Sequence, residues 1–327
     1  MSIMSVYMEE SEENFLWSKT GDAHTHAHDD RERLSKIGEL KTARLCLMGT
    51  RFEDLDIVSQ LSAKFQSKVV PCFGFHPWFA HLLSLEDDPP ESEIHYRSVL
   101  SDIGPKSSTD CNIEPILVYL PPPKPFNVWF EKLENLVKTN TTALIGEVGL
   151  DKSARLTDPK TQSLSKVQTK IQHQIAILEK QLDLAAKYNR AVSLHCVQAT
   201  GQVIELLDRK VLSQQPLPPR ICMHSYGGSV DTIKILTETR PKKKKKLPTD
   251  IYFSFSIVIN ERYSRLHDLI RAVPEDRLLV ESDFHSPDGL DHLMEKIVLL
   301  VSEAKGWTRA TTLEKTFQNF LKFIGES

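Results

Sequence analysis

The fold class is decided by the stretch IQHQIAILEKQLDLAAKYNRAVSLHC, residues 171–196, in which a helical repeat runs directly into a strand-like run. Apolar residues recur at helical spacing through a segment at 162–189, as they do on the buried face of a helix. AVSLHC at 191–196 is a short apolar run typical of a buried strand, and ALIGEV at 143–148 precedes the helix. The order strand, helix, strand predicts two parallel strands of one sheet.

The same alternation extends outward in both directions along the chain. Further strand-like runs lie at 43–48, 69–75, 220–225, 251–257 and 278–283, with a weaker first strand around 17–24. Eight strands interleaved with helices predict an α/β fold, a single-domain (β/α)8 barrel of the TIM type. The alternative is an open doubly wound sheet, which we expect to have fewer strands and a glycine-rich phosphate turn, and the sequence has neither a GxGxxG nor a Walker motif.

Two segments interrupt this rhythm. Residues 84–127 contain Asp-Asp-Pro-Pro and PPPKP, and predict a long insertion after the third strand. The Lys-rich loop 241–248 carries five consecutive lysines between a helix at about 229–239 and the seventh strand. Such a connection lies on the face opposite the strand ends that carry the site, so we expect a solvated loop, with a nuclear-localisation or partner-binding patch as the second interpretation and a substrate contact as the last. Residues 1–16 form an N-terminal extension to a barrel at 17–327.

The composition is that of an ordinary globular protein: 327 residues, 40% hydrophobic, 26% charged and a formal charge of −3. This charge does not indicate a protein that coats polyanions, so any contact with nucleic acid must be local. No apolar run is long enough to span a bilayer, and the acidic N-terminus is unlike a signal peptide, so we expect no membrane association and a cytoplasmic or nuclear location. The five cysteines have no CxxC spacing and are expected to be reduced, mainly in the core.

Metal-binding side chains lie at the carboxyl ends of the predicted strands, where a (β/α)8 barrel gathers them at one mouth. His24 and His26 are one residue apart, so in an extended segment both imidazoles point to the same side. Imidazoles and carboxylates without thiolates favour Zn²⁺, Mn²⁺ or Co²⁺, with Mg²⁺ as an alternative. A closed structural metal site is the other interpretation, but such sites are usually local and Cys-rich. The residues in this set are Asp22, His24, His26, Glu147, His195, His224 and Asp283.

The ordered motifs DAHTHAH, FGFHPW, GEVGLD, QIAILEKQLDLA, SLHC, MHSYGGS, SFS and LLVESDF, from about residue 20 to about 290, resemble the TatD family of metal-dependent deoxyribonucleases. The resemblance implies a (β/α)8 barrel with two divalent metal ions, Mg, Mn or Zn, that hydrolyses phosphodiester bonds, typically in DNA from the 3′ side. It implies His24, His26 and Asp283 as ligands of one ion, His195 and His224 as ligands of the other, and Glu147 as the bridge. It also implies that His76 contacts a phosphate.

Three places depart from the family pattern, and one of them is the insertion at 84–127, which has no counterpart in the short family members. GLDKSARL follows Glu147 where the family usually has GLDY, and ESDFHSPDG replaces the usual acidic residue with a Pro-Tyr-Leu continuation. All the proposed ligands are present. The departures therefore concern the substrate and the rate more than metal binding.

Two cations about 3.5 to 4 Å apart can activate a bridging water and hold both the attacking and the leaving oxygen of a phosphodiester. We expect Asp283 to be the general base and His76 to donate to a nonbridging or leaving oxygen; a ligand without a proton role and a histidine that packs a turn are the alternatives. Trp78 is expected to stack on a base or to cover the barrel. Arg155 is expected to contact a phosphate or to remain solvated.

Two other functions would fit the same barrel. An amidohydrolase acting on a C–N bond often bridges its metals with a carboxylated lysine, whereas Glu147 occupies that position here and favours phosphoester chemistry. A non-catalytic interaction protein would use the insertion or the Lys-rich loop to bind a protein partner, but loss of ligands would then be expected. Activity on single-stranded DNA with Mg²⁺ or Mn²⁺, tested against Glu147→Ala, distinguishes these functions.

Overall fold

Eight parallel strands form one sheet whose spatial order follows the order of the chain. The computed structural model describes residues 15–102, 113–158, 160–238 and 247–326. The sheet is a nearly closed barrel with helices between its strands, which confirms the predicted (β/α)8 fold. Its strands are Gly21–Thr25 (β1), Arg44–Met48 (β2), Val69–Phe73 (β3), Leu144–Asp151 (β5), Val192–Val197 (β7), Arg220–Met223 (β8), Asp250–Phe255 (β9) and Leu278–Val280 (β10); two further strands, Leu100–Asp102 (β4) and Val167–Thr169 (β6), form a separate ribbon.

The first and last strands are joined at their carboxyl ends. The backbone N–H of Asp283 donates to the His24 carbonyl and that of His26 donates to the Phe284 carbonyl, both at 2.9 Å. Regular strand β10 ends at Val280, three residues before the predicted end, yet the chain beyond it stays bonded to β1. These bonds bring the two ends of the sequence together at the mouth, by which we mean the end of the barrel where the carboxyl ends of the strands meet.

Helices surround the barrel and bury their apolar faces against it. The α-helices are Phe52–Lys64 (α1), Ser92–Val99 (α2), Glu114–Leu117 (α3), Phe126–Thr139 (α4), Ile171–Lys187 (α5), Thr200–Leu212 (α6), Val230–Thr237 (α7), Ile257–Asn260 (α8), Leu266–Ala272 (α9), Leu290–Lys305 (α10) and Arg309–Ile324 (α11). Short 3-10 helices lie at Trp17–Lys19, Ala27–Asp29, Leu34–Glu39, Pro77–Leu82 and Glu275–Arg277.

Helix α11 closes the end of the barrel opposite the mouth. Phe320 and Phe323 are fully buried in the apolar cluster inside the barrel, and the Asn319 side chain donates to the Leu278 carbonyl at 2.9 Å. A Cβ atom on Gly21 would lie 2.5 Å from Cγ of Phe320, so this close approach requires glycine at the start of β1. Side chains of α11 therefore fill the barrel at the end opposite the mouth, and the mouth is its open end.

Most of the cysteines lie where the sequence predicts. Cys46, Cys72 and Cys222 are buried free thiols inside the barrel, and Cys196 is half-buried and also free. Cys111 lies outside the described residues.

The predicted insertion forms most of a small structure beside the mouth. It contains α2, β4 and α3, and β4 pairs antiparallel with β6, which belongs to the loop after β5. We call the described residues of 84–125 and 152–169 the cap. The first segment ends at residue 125 and not at the predicted 127, because α4 begins at Phe126. The cap has its own apolar cluster, made of Tyr96, Val99, Leu100, Ile113, Ile116 and Val167.

Other predicted segments fall wholly or largely outside the described residues. Helix α7 ends at Thr237 and β9 begins at Asp250, so the Lys-rich loop is a helix-to-strand connection, but its residues up to 246 are not described. Only the last two residues of the predicted extension 1–16 are described. Among the helices of the described ranges, none combines the length and apolar character needed to cross a bilayer.

Candidate active site

All six predicted ligand side chains meet at the mouth of the barrel, and most of them are buried. Strand β1 and its end position His24 and His26, and the middle of β5 positions Glu147. The other three ligands lie on, or just beyond, the carboxyl ends of their strands, and these ends meet at the mouth: His195, His224 and Asp283.

Glu147 lies at the centre of the site, and its two oxygens face different groups of imidazoles. Oε2 is 3.5 Å from Nε2 of His24 and 3.2 Å from Nε2 of His26. Oε1 is 2.8 Å from Nε2 of His224 and 2.9 Å from Nδ1 of His195. A carboxylate placed in this way can contact two cations at once.

Asp283 belongs to the group formed by the first strand. Its Oδ1 is 3.8 Å from Nε2 of His24 and 3.7 Å from Nε2 of His26, and those two nitrogens are 3.2 Å apart. Oδ2 accepts a hydrogen bond from the Ser225 hydroxyl at 2.9 Å. Imidazole nitrogens that converge on each other and on carboxylates form a donor set suited to a divalent cation such as Zn²⁺ or Mn²⁺, so the residues fit a metal site.

The electrostatics of the site favour ionised carboxylates. Burial by itself would raise the pKa of Glu147, but the surrounding imidazoles of His76, His224 and His24 hold that pKa well below its usual range. For Asp283, burial is likewise outweighed by neighbouring histidines, and its pKa is lowered. Both carboxylates therefore carry negative charge at neutral pH, which is the state that binds cations.

His76 lies against Glu147, with Nε2 3.2 Å from Oε1. Its Nδ1 accepts a hydrogen bond from the backbone N–H of Trp78 at 3.2 Å, so the ring proton is on Nε2. Burial lowers the pKa of His76 to about 4, despite the opposing effect of Glu147, and the ring is neutral at pH 7. His76 thus presents an N–H to the site, which suits a hydrogen-bond donor better than a ligand bound through that nitrogen.

The sequence suggests that Asp151 lies near the motifs but not that it contacts a ligand, and the structure places it directly behind His195. Oδ2 of Asp151 is 3.2 Å from Nε2 of His195 and accepts the indole N–H of Trp78 at 2.8 Å. Strand β5 continues to Asp151, so alternation puts this residue on the same face as Glu147. That spacing is the signal in the sequence that could have identified it.

The two predicted substrate contacts outside the buried set lie at the surface. Trp78 is 55% exposed, and its ring meets His76 edge-on with the centroids 4.9 Å apart. Arg155 is exposed on the loop after β5. Their contacts with substrate stay predictions.

Asp22 does not join the ligand groups, although its position in the motif suggested that it would. Oδ1 accepts the backbone N–H of Ser282 at 2.9 Å and that of His24 at 3.2 Å, and Oδ2 accepts the Ser282 hydroxyl at 2.6 Å. Burial raises the pKa of Asp22 to about 8, although these hydrogen bonds oppose the shift. Asp22 lies on the same face of β1 as His24, but its hydrogen bonds to Ser282 hold it against the chain just beyond β10, and its role is to join the two strands.

Several polar partners of the ligands were not recognised from the sequence. The Ser193 hydroxyl is 2.8 Å from Nδ1 of His24. Glu281 is fully buried, accepts the Ser225 backbone N–H at 2.6 Å and lies 3.7 Å from Nδ1 of His224. Such partners fix the orientation of metal-ligating rings.

The whole barrel matches known proteins. Residues 21–325 match the family described as TatD related DNase. The chain is 35% identical over 341 residues to the Cut9-interacting protein scn1 of Schizosaccharomyces pombe, covering 93% of this chain and 98% of that protein. It is 25% identical over 201 residues to the 3′-5′ ssDNA/RNA exonuclease TatD of Erwinia tasmaniensis, covering 55% of this chain and 66% of that protein. The crystal structure of a TatD homologue from Escherichia coli has the same fold, with a TM-score of 0.60, 16% identity and coverage of 94% of this chain and 98% of that chain.

Proposed function

The chain belongs to the TatD-related DNase family, and from this we propose that it is a metal-dependent hydrolase of ester bonds that cleaves phosphodiesters in DNA with two divalent ions. One observation carries the proposal: the two oxygens of Glu147 face two separate groups of ligand side chains. A single-ion site would not need a carboxylate shared in this way. The alternatives, a C–N hydrolase and a non-catalytic barrel, have no comparable observation in their favour among the described residues.

We assign the ligands by these two groups. His24, His26 and Asp283 would hold one ion, His195 and His224 would hold the other, and Glu147 would be shared between them. Mg²⁺, Mn²⁺ and Zn²⁺ are the candidate ions, and the number of imidazoles supports Mn²⁺ or Zn²⁺ over Mg²⁺.

When bound, the ions activate water and stabilise the negative charge that develops on the phosphate. The rest of the chemistry belongs to the protein. Asp283, ionised beside the histidines of the site, accepts the proton of the attacking water as general base. His76 donates its Nε2 proton toward a nonbridging or leaving oxygen of the phosphodiester. Trp78 and Arg155 contact the nucleotide at the mouth, by stacking on a base and by pairing with a phosphate.

The test is cleavage of a 5′-labelled single-stranded oligonucleotide by metal-stripped protein reloaded with Mg²⁺ or Mn²⁺. We expect wild type to shorten the DNA and Glu147→Ala to lose this activity while keeping its fold, because Glu147 lies in the site and not in the apolar core. His292→Ala removes an exposed imidazole from α10 and serves as the matched control, which should retain full activity. A Glu147→Ala variant as active as wild type at saturating metal would refute the two-metal assignment.

The location and the partners are further proposals. We place the protein in the cytoplasm or the nucleus, with DNA as its substrate. For a protein partner, the surface we favour is on the cap, where Ile94, Val118 and Tyr119 are exposed apolar residues; the Lys-rich loop is the alternative. The name of the S. pombe relative, a Cut9-interacting protein, supports a search for such a partner. Val118→Asp is expected to abolish binding of a partner identified in this way and to leave DNA cleavage unchanged.

A further inference from the structure

Three cationic side chains without a role in the mechanism above lie on the connections that follow β1, β2 and β3 at the mouth. One of them, Arg51, comes directly after Gly49 and Thr50 at the end of β2. The Gly49 carbonyl accepts the backbone N–H of Glu147 at 2.9 Å, and the Thr50 carbonyl accepts that of His76 at 2.8 Å. The chain that carries Arg51 is therefore bonded to two residues of the candidate site.

Arg51 shares one carboxylate with the second cation, Arg31. Nε of Arg51 is 3.5 Å from Oδ1 of Asp54, and Nη2 of Arg31 is 3.0 Å from the same oxygen. Asp54 is fully buried, whereas the side chains of Arg51 and Arg31 are 44% and 38% exposed. A guanidinium stays charged at any physiological pH, so two positive charges have one carboxylate between them. The pair thus carries an excess positive charge at the edge of the mouth.

Lys124, the third cation, adds a positive charge that no carboxylate of the described residues offsets. Its backbone N–H donates to the Leu82 carbonyl at 2.8 Å, which fixes it to the segment after β3. Nζ lies 5.0 Å from the centroid of the Phe52 ring. Lys132 lies over the same ring but pairs with Asp56 at 2.8 Å. Lys124 therefore keeps a charge that Lys132 does not.

Aromatic rings hold Arg51 and Lys124 without neutralising them. Cζ of Arg51 is 5.4 Å from the centroid of the Phe79 ring, and the Phe79 backbone N–H donates to the His76 carbonyl at 2.9 Å. A cation over an aromatic face is attracted by the ring quadrupole but retains its net charge. Within the described ranges, the two Nη atoms of Arg51 donate to no acceptor. Their N–H groups are available to an external anion.

The arginines lie beside the ligands and not among them. The His28 and His26 rings have centroids 6.4 Å apart, and Nε2 of His28 is 4.0 Å from Oδ1 of Asp54. Asp54 and its two arginines are thus separated from a ligand by one side chain. An anion on Arg51 is therefore not the phosphodiester at the ligands but a neighbour of it.

A single-stranded nucleic acid supplies anions in this arrangement. Its phosphates follow one another along a flexible backbone, which can bend one of them down to the buried ligands while the next remain at the edge of the mouth. Basic side chains alternating with aromatic rings are typical of surfaces that bind single strands. A stiff duplex would need to deform to reach both places.

We propose that Arg31, Arg51 and Lys124, with Phe79 and Phe52 beneath them, bind the phosphates that neighbour the cleaved one on a single-stranded nucleic acid. We call these five residues the rim track. The inference rests on the proposed nuclease function and names its substrate as a strand long enough to cover the track. Because every nucleotide carries the same phosphate, the track recognises charge and not sequence.

Binding of 5′-labelled single strands to Glu147→Ala protein, which we expect to hold the strand without cutting it, tests the proposal. A dinucleotide and a strand of twelve nucleotides are compared between about 50 and 200 mM salt. We expect the longer strand to bind about 10-fold more tightly or better, with an affinity that falls as salt rises, because each phosphate contact releases counterions.

Lys124→Gln and Arg51→Gln, each made in that protein, remove one charge from the track. We expect each to weaken binding of the longer strand by about 3- to 10-fold and to reduce the slope of log Kd against log salt by about 0.7, the value for one contact in a single strand. Lys124→Gln is the more decisive variant, since it leaves no buried carboxylate of the described residues without its partner. Arg51→Lys keeps the charge and should keep the slope.

Arg209→Gln is the matched control. Arg209 is an exposed guanidinium that bonds to Glu179 at 3.0 Å, in the last turn of α6. Since α6 follows β7, its last turn lies at the end of the barrel opposite the mouth. This variant should bind both strands as the parent protein does.

The outcomes separate the two proposals. Smaller slopes in both track variants, with an unchanged slope in the control, support the track. Slopes equal to that of the parent protein in both variants overturn the inference and leave the nuclease function standing. Weaker binding in Arg51→Gln alone, with a lower midpoint of thermal unfolding, assigns Arg51 to holding Asp54 and also overturns it. If both variants lower the slope but wild type cleaves no strand, the nuclease function is rejected and the track is supported as a binding site alone.

Discussion

Asp151 connects the buried ligands to the surface of the mouth, because one of its oxygens meets both His195 and Trp78. Its other oxygen accepts hydrogen bonds from the backbone and the hydroxyl of Ser153, both at 2.7 Å. Burial would raise the pKa of Asp151, but its bonds to His195, Trp78 and Ser153 lower that pKa well below the usual range. The ionised carboxylate therefore keeps the Nε2 proton of His195 in place and leaves Nδ1 free to bind a cation.

We predict that Asp151→Asn weakens metal binding by about 10- to 100-fold, as loss of the partner of a ligating histidine does. The amide keeps the size of the side chain but loses its charge. In addition, the NH₂ group can take the place of the oxygen that faces Nε2 of His195, and it cannot accept a proton from that nitrogen. Titration of metal-free protein with Mn²⁺ measures the effect, and cleavage should recover in excess metal.

Asp158→Asn is the control for this change. Asp158 lies in the same loop and accepts the Lys160 backbone N–H at 2.8 Å, away from the ligands. Equal affinities in the Asp151 and Asp158 variants would show that Asp151 does not position His195.

At the level of elements, the cap has an apolar core separate from that of the barrel. The ribbon of β4 and β6 joins the two segments of the cap to each other, and polar contacts at its base, such as those of Lys170 with the carbonyls of Arg97 and Ser98, join the cap to the barrel. A small cluster of this kind opens more easily than a large one, because fewer apolar contacts must be lost.

We predict that Ile116→Ala loosens the cap without unfolding the barrel. Ile116 is buried in the cap cluster, and removing such a side chain costs about 2 to 5 kcal/mol. Hydrogen exchange should accelerate in α2 and β6 and remain slow in β2 and β7. Ile94→Ala, on the exposed face of α2, is the control. Equal acceleration in the barrel strands would contradict an independent cap.

Three histidines lie at the base of the cap, and the contact between two of them, His95 and His81, joins the cap to the segment after β3. Nε2 of His173 on α5 contacts the carbonyls of Ala80 and Leu83, each at 3.0 Å, and Nε2 of His95 contacts the His81 carbonyl at 2.9 Å. Burial lowers the pKa of each ring, that of His81 to about 3. All three are therefore neutral at pH 7.

This cluster predicts loss of stability in acid. The folded pKa of His81 is below the unfolded value of 6.5, so the unfolded chain binds protons first, and stability falls as the pH drops from about 6.5 toward 3. At pH 5 the free energy of unfolding is lower than at neutral pH by roughly 2 kcal/mol because of His81. Urea unfolding gives the free energy of unfolding at pH 7.5 and at pH 5. The difference between these two values should be smaller in His81→Gln than in wild type by about that amount. His292→Gln, which changes an exposed ring, should behave as wild type does; an unchanged difference in His81→Gln would exclude this cause.

At the scale of the whole molecule, α11 stabilises the barrel from the end opposite the site. We predict that Phe320→Ala lowers the free energy of unfolding by about 3 to 5 kcal/mol, because a fully buried aromatic ring leaves a cavity. Phe317→Ala should cost less, since this ring is only partly buried. Denaturant unfolding measures both. The kcat of folded Phe320→Ala at 20 °C should stay within about twofold of wild type. A larger fall in kcat would show that packing of α11 inside the barrel supports the site.

The barrel could be predicted because its strands are buried on both faces and leave continuous apolar runs in the sequence. The residues at which the strands end could not be predicted, because local hydrogen bonds determine where each strand stops. The run predicted at 251–257 stops at Phe255, because the Ser256 hydroxyl accepts the Ile259 N–H and begins α8. The first strand starts at Gly21 and not at 17, where a 3-10 helix forms. Strands β4 and β6 have three residues each, too few for a periodic pattern.

The ligand residues could be recognised because their chemistry coincides with strand ends. Their partners could not, because contact between segments remote in the sequence leaves no local pattern. Glu281 reaches Ser225, and His285 reaches Asp29 across almost the whole chain. Asp22 shows the converse: its residue type fitted a ligand, but its hydrogen bonds to Ser282 turn it away.

The junction of the first and last strands has a consequence for biosynthesis. His24 and His26 leave the ribosome well before Asp283, which lies far later in the chain. The backbone bonds between these segments form only when the last strand has been released, so the complete ligand set does not exist on a growing polypeptide. Maturation of the centre is thus a late event, and a prematurely terminated chain that ends before residue 283 has no centre to mature.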